Sequence, residues 1–144
     1  MTTARKYQEL NITTASPMEL VLMLYDECLR SLDKAEKAFE KEDPERIETI
    51  SNNLLHAQDL ITELAVSLDM EKGGEIALNL QRLYDFMVNH LSRANVNKEI
   101  RPIHEVRKMM SELREAWTEV AKKEPPREHA TTQSAMSGSI RIAG

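Results

Sequence analysis

The side chains of this chain best suited to chemistry are four histidines, His56, His90, His104 and His129, and a single cysteine, Cys28. A carboxylate-bridged di-iron site in a helical bundle needs a Glu three residues before a His on each of two helices, plus a Glu on each of the others. The residues at that spacing are Asn53, Met87, Arg101 and Pro126, so the pattern is missing. No two histidines stand one helical turn apart. Phosphotransfer through an exposed histidine is the second chemistry to weigh, with His56 as the candidate. Such domains commonly follow the histidine with Lys-Gly; here Ala57-Gln58-Asp59 follows, and the Asp59 carboxylate repels phosphate. Gly73-Gly74 stands alone as a helix breaker and forms no phosphate-binding loop. Cys28 falls among positions expected to be buried, where it serves as a small hydrophobe, and one cysteine allows no internal disulfide. The pattern offers no catalytic, cofactor or metal constellation. A histidine phosphotransfer or metal-binding bundle is therefore the weaker alternative to a binding module.

These residues sit on segments with a clear helical rhythm. A length of 144 residues suits one domain. With 41% hydrophobic and 30% charged residues but only 4 Gly and 5 Pro, the composition favours helices over sheets. A net charge of -5 argues against nucleic-acid binding, which wants a basic face. No apolar run is long enough for membrane insertion. Met1 to Gln8 lacks an apolar signal core, which predicts a cytoplasmic protein.

The strongest local signal is the stretch Thr13 to Asp26. Ser16 is a good N-cap, Pro17 suits the first helical position, and Glu19 completes a reciprocal capping box. The first helix is expected over about 17–41, with Val21, Leu24, Tyr25, Cys28, Leu32, Ala35 and Phe39 in one stripe. Asp43 as N-cap and Pro44 open a second helix over about 44–68, facing the core with Ile47, Ile50, Leu54, Ala57, Ile61, Leu64, Ala65 and Leu68. Gly73-Gly74 precedes a third over about 75–94, with Ile76, Leu80, Leu83, Met87 and Leu91 inward. Pro102 opens a fourth over about 102–124, lined by Val106, Met109, Met110, Leu113, Trp117 and Val120. Four such helices with short turns predict an all-α protein, an antiparallel up-down-up-down four-helix bundle. Residues 1–16 are expected to form a flexible N-terminal arm and 125–144, rich in Ser, Thr, Ala and Gly after Pro125-Pro126, a disordered tail. The arm's sizeable apolar groups, Tyr7, Leu10 and Ile12, belong either to a loose end or to a lid that parks Tyr7 on the bundle.

The sequence also carries more apolar side chains than one core stripe needs. Leu20 to Tyr25 is apolar or aromatic throughout and so covers the whole helix circumference. Met18, Leu22 and Leu29 lie off the core stripe, Leu55 and Val66 share a second line with Leu60 apart, and Leu78, Phe86 and Val88 lie outside the third stripe. A wide core accounts for about half of them, since isolated exposed apolar residues are normal. The remainder form apolar lines of the kind that mark a partner site, such as a groove for an amphipathic helix. Eight methionines would let that surface adapt.

Thr14-Ala-Ser-Pro-Met-Glu-Leu and Met23-Leu-Tyr-Asp, then Gly73-Gly-Glu-Ile-Ala, Leu80-Gln-Arg-Leu-Tyr-Asp-Phe-Met and Glu112-Leu-Arg-Glu-Ala-Trp, occur in that order. In these blocks the chain resembles the flagellin export chaperone family, FliS, from about Tyr7 to about Val120. The resemblance implies a non-enzymatic partner protein for the C-terminal segment of flagellin. It would keep that segment unpolymerised in the cytoplasm and deliver it to a component of the flagellar export gate. It also implies that the arm, with Tyr7, lies over part of the binding surface of the free chaperone; Ile12, the other apolar group of the arm that needs a place to pack, is expected to join it. The surplus apolar lines supply the binding residues expected on the bundle, Met18, Leu22, Leu29, Leu55, Val66, Leu78 and Val88; the signature does not fix which of these lines form the groove. The tail lies beyond the resemblance. Its composition predicts that truncation after Glu124 leaves the melting temperature of the bundle nearly unchanged, as followed by circular dichroism; a fall of many degrees would show that the tail docks on it.

Overall fold

The structure is a computed structural model that describes residues 16–123. The tail and all of the arm before Ser16, Tyr7 and Ile12 included, lie outside the described residues. Four helices make up the described chain: α1 (Pro17–Phe39), α2 (Arg46–Val66), α3 (Met70–Asn97) and α4 (Arg101–Lys123). No strand occurs among the described residues. None of these helices is long and apolar enough to cross a membrane.

The helices form a square in which α1 packs on α2 and α4, and α3 packs on the same two. Neighbours run antiparallel. Along the α1–α4 seam Asp26 pairs with Arg114, Asp33 with Arg107 and Glu36 with His104, so α4 numbers fall as α1 numbers rise. Along the α2–α3 seam Ser51 meets Asn95 and Gln58 meets the Val88 carbonyl, in the same sense. The expected up-down-up-down bundle is therefore present.

Local chemistry explains the helix ends. The Glu19 backbone N–H donates to Ser16 Oγ at 3.1 Å, and the Ser16 N–H donates to Glu19 Oε1 at 2.8 Å, which is the expected capping box. The second helix departs from expectation. Asp43 does not cap it: Asp43 Oδ1 accepts from the Glu45 N–H at 2.9 Å and its carbonyl accepts from the Arg46 N–H at 2.9 Å, holding a turn through Pro44. α2 starts at Arg46 behind Glu45, which supplies no side-chain cap. The third helix begins earlier than expected because Asp69 caps it, accepting from the Lys72 N–H at 3.0 Å. The glycine break is real but lies inside the element: Gly74 takes φ 54° and ψ -129°, a conformation that only glycine adopts without strain. α1 stops at Phe39, two residues short of the expected Lys41, and α3 runs on to Asn97.

The core holds most of the expected stripes, with three corrections. Ile47, expected inside, is half exposed, because the late start of α2 leaves it in the first turn at the bundle end. Leu60, expected apart from the core, is fully buried, because α2 is pressed on both sides and its buried face is wider than one stripe. On α3 the inward aromatic is Tyr84, while Leu83 and Ile76 are only half-buried. At the centre the Trp117 indole N–H donates to the Tyr25 hydroxyl at 2.9 Å, and the Tyr25 and Tyr84 oxygens lie 2.6 Å apart. All three side chains are fully buried. Tyr25 is the middle of this chain, so Tyr25→Phe strands both neighbours, whereas Tyr84→Phe leaves Tyr25 its bond to Trp117. A buried polar group left unsatisfied costs about 1–3 kcal/mol. Urea melts should therefore show a larger loss for Tyr25→Phe than for Tyr84→Phe; the reverse order would mean that the three groups do not act as a chain.

Candidate functional site

The predicted site residues of the bundle separate into two groups. Met18, Leu22 and Leu29 are half-buried on α1 and pack against the core. Leu22 and Leu29 alternate along α1 with Asp26 and Asp33, at helical spacing, and so lie on the α4 side. That seam is closed by charge. Arg114 forks onto Asp26, with Nη2 at 3.2 Å from Oδ2, and Arg107 lies 3.4 Å from Asp33. The buried carboxylate of Glu36 accepts from Arg107 Nη1 at 2.7 Å and pairs with His104. Leu22 and Leu29 thus lie along a latched seam.

The second group shares a face with an open cleft, which Val88 alone of the four lines. A cleft of about 210 Å³ between α2 and α3 is lined by Thr62, Ala65, Tyr84, Asp85, Val88 and Asn89. Val66 follows Thr62 by one turn and Leu55 precedes it by two turns, so both lie on the α2 side of this cleft. Leu78 precedes Asp85 by two turns and lies on the α3 side. Their exposure is high for apolar groups: 53% for Leu55, 79% for Val66 and 37% for Leu78, with Val88 half-buried beside the cleft. Gln58 Nε2 donates to the Val88 carbonyl at 3.0 Å and ties the two walls together. The structure therefore brings Leu55, Val66, Leu78 and Val88 to one face, and sets Met18, Leu22 and Leu29 on another. Thr62, Ala65, Tyr84, Asp85 and Asn89 were missed. The signal that finds them is the same helical spacing, counted from Leu55 and Leu78. Phe86, half exposed, is not part of this face; it stacks on the His90 ring at 4.8 Å.

The three histidines among the described residues each meet a glutamate. His56 Nε2 lies 3.1 Å from Glu27 Oε2 across α1–α2, His90 Nε2 lies 2.6 Å from Glu105 Oε1 across α3–α4, and His104 meets Glu36. Among the described residues no group of three or more His, Cys, Asp or Glu gathers as metal ligands would. Cys28 is fully buried and its Sγ points at the Ala57 carbonyl; burial pushes its thiol well above the usual range.

The family model "Flagellar protein FliS" matches residues 1–124. The chain is 33% identical over 125 residues to the flagellar secretion chaperone FliS of Bacillus subtilis, covering 87% of this chain and 90% of that one. It is 36% identical over 113 residues to the flagellar secretion chaperone FliS of Salmonella typhimurium, covering 78% and 82%. The Campylobacter jejuni flagellar secretion chaperone FliS is 38% identical over 105 residues, covering 73% and 80%. The class is thus that of the flagellar export chaperones. Within it, the chain belongs to the FliS family.

Glu27 shows how the seams respond to pH. Burial raises its pKa, but hydrogen bonds from Arg30 and His56, and their charges, outweigh that and hold it below the ordinary 4.5. A carboxyl depressed in the folded state contributes stability that is present above its unfolded value and is lost as pH falls through the folded one. Glu27→Gln should therefore melt below wild type at pH 7, and the gap should close as pH drops below about 4.5. A gap that stays constant through that range would show that the charge of Glu27 contributes nothing.

Proposed function

We propose that this chain is a cytoplasmic, non-catalytic export chaperone that takes the C-terminal segment of flagellin as a helix into the α2–α3 groove. There it keeps the segment from polymerising early and helps deliver it to the flagellar type III export apparatus, with an export-gate component as second partner. One observation carries the reading: in a member of the FliS family, exposed Leu55, Val66 and Leu78 share a helix face with the α2–α3 cleft that Val88 lines, while ion pairs cross the α1–α4 seam. Helix-in-groove docking uses apolar side chains of this kind along the walls of a groove.

Magnitudes say that the groove does not act alone. Fully covering an apolar side chain yields about 1.5–3 kcal/mol, and the rim residues are already partly covered. Three of them give at most about 4.5–9 kcal/mol before association costs of about 4–15. A micromolar complex needs about 8 net. The partner therefore wraps further than one groove, and a lid formed by the arm, with Tyr7 and Ile12, would cover part of that further surface. A lid there competes with the partner, so deletion of residues 1–8 leaves binding unchanged or tighter.

Val66→Asp and Leu55→Asp add a charge that water reaches, so both should melt close to wild type. Each should weaken capture of a flagellin C-terminal peptide at least about tenfold in titration calorimetry, because the incoming helix must desolvate a carboxylate. Leu32→Asp, at a fully buried site, should unfold the bundle. Wild-type capture by Val66→Asp and Leu55→Asp would place the binding surface elsewhere.

A further inference from the structure

At the opposite side of α2 a second cleft, of about 240 Å³, opens between the end of α1 and the start of α2. Its lining is Lys34, Lys37, Ala38, Lys41, Asp43, Arg46, Thr49 and Asn53. Four cations against one carboxylate is an unusual wall in a chain of net charge -5. Lys37 pairs with Asp33 at 3.0 Å; Lys34 and Lys41 enter no ion pair among the described residues. Arg46 is held in place from behind, its guanidinium carbon 5.6 Å from the centre of the Phe39 ring. Its Nε is buried without a hydrogen-bond partner. A buried donor left unmade is costly, and a native structure keeps one where something else completes it. The same cleft meets the start of α2, where Glu45 gives no side-chain cap, so the positive end of the helix adds to the field.

We propose that this cleft is a docking site for an acidic segment of a partner protein, in which a Glu or Asp carboxylate engages Arg46 while Lys34 and Lys41 flank it. Charge complementarity selects the ligand. A planar guanidinium stacked on a ring matches a carboxylate in two-point geometry. Glu42 and Glu45 are exposed beside the cleft, and Asp43 lies in its wall, so polyanions meet repulsion that a single carboxylate on a peptide avoids. The site lies on a different face of α2 from the groove of Leu55, Thr62 and Val66, and it stands or falls independently of flagellin binding.

The test is fluorescence anisotropy with full-length protein and three probes: a labelled peptide carrying one Glu among neutral residues, its Gln-for-Glu counterpart, and inorganic phosphate as competitor. Expected are binding of the Glu peptide alone, loss at high salt, and weakening of about tenfold or more in both Arg46→Gln and Lys41→Gln. Arg101→Gln, a remote exposed cation, should bind as wild type. Lys41 is exposed, so its variant reads the site even where Arg46→Gln perturbs the helix start. The proposal is overturned by no binding of the Glu peptide, by equal binding of the Gln peptide, by unchanged affinity in Lys41→Gln, or by phosphate displacing the peptide at matched concentration.

Discussion

At the centre of the bundle Trp117 donates to Tyr25, and the hydroxyls of Tyr25 and Tyr84 lie 2.6 Å apart. This is a chain of polar heads inside an apolar core, and it joins α4, α1 and α3. Apolar packing alone tolerates many registers, because one Leu fits where another did. A buried N–H and two hydroxyls tolerate one arrangement, since any slip of a helix leaves them unpaired at a cost of about 1–3 kcal/mol each. The ion pairs along α1–α4 agree with that register and close the seam. α2 has no member in the chain; it is held by fully buried Leu54, Ala57, Leu60, Ile61 and Leu64.

Tyr84 links this interior to the groove. Its hydroxyl belongs to the buried chain, and its ring sits at the floor of the α2–α3 cleft. Burial pushes its phenol up to about 12, so the floor stays neutral at any physiological pH. A neutral Tyr84 at the cleft, with exposed Leu55, Val66 and Leu78 on the same face, offers apolar surface to an amphipathic helix, and Asp85 in the lining favours a partner that leaves that carboxylate in water or brings it a cation. The cleft at the start of α2 differs from it in charge: its walls are cationic, and its arginine lies over the Phe39 ring.

The bundle was legible in the sequence because its signals are local. The Ser16-Pro17-Glu19 cap and the apolar stripes of α1 and α4 depend on neighbours a turn away; the cap held, and so did the stripes apart from Phe39, Met109 and Leu113, which are only half-buried. The second helix start was misread because Asp43 bonds its own turn instead of the helix, a choice between two local bonds that residue type does not decide. Leu60 was set apart from the core and Tyr84 was passed over, because the width and direction of a buried face depend on which helices flank it. The same limit applied to the site. Spacing found Leu22, Leu29, Leu55 and Val66 as surplus alike, yet only tertiary packing shows that the first two lie under Asp26–Arg114 and Asp33–Arg107 while the last two face water. Arg46 gave no signal at all, because its isolation comes from where Phe39 and the α1 end are placed.

The central claim is that the partner lands on the α2–α3 face and not on the α1–α4 seam. Hydrogen-exchange mass spectrometry of the full chain, with and without a flagellin C-terminal segment, measures this directly. Rim and floor peptides containing Leu55 to Val66 and Leu78 to Asn89 should slow in exchange on complex formation, while the Arg101 to Lys123 peptides of α4 remain unchanged. Protection confined to α4 and the Leu22 to Asp33 stretch of α1, with α2 and α3 unaffected, would contradict the account.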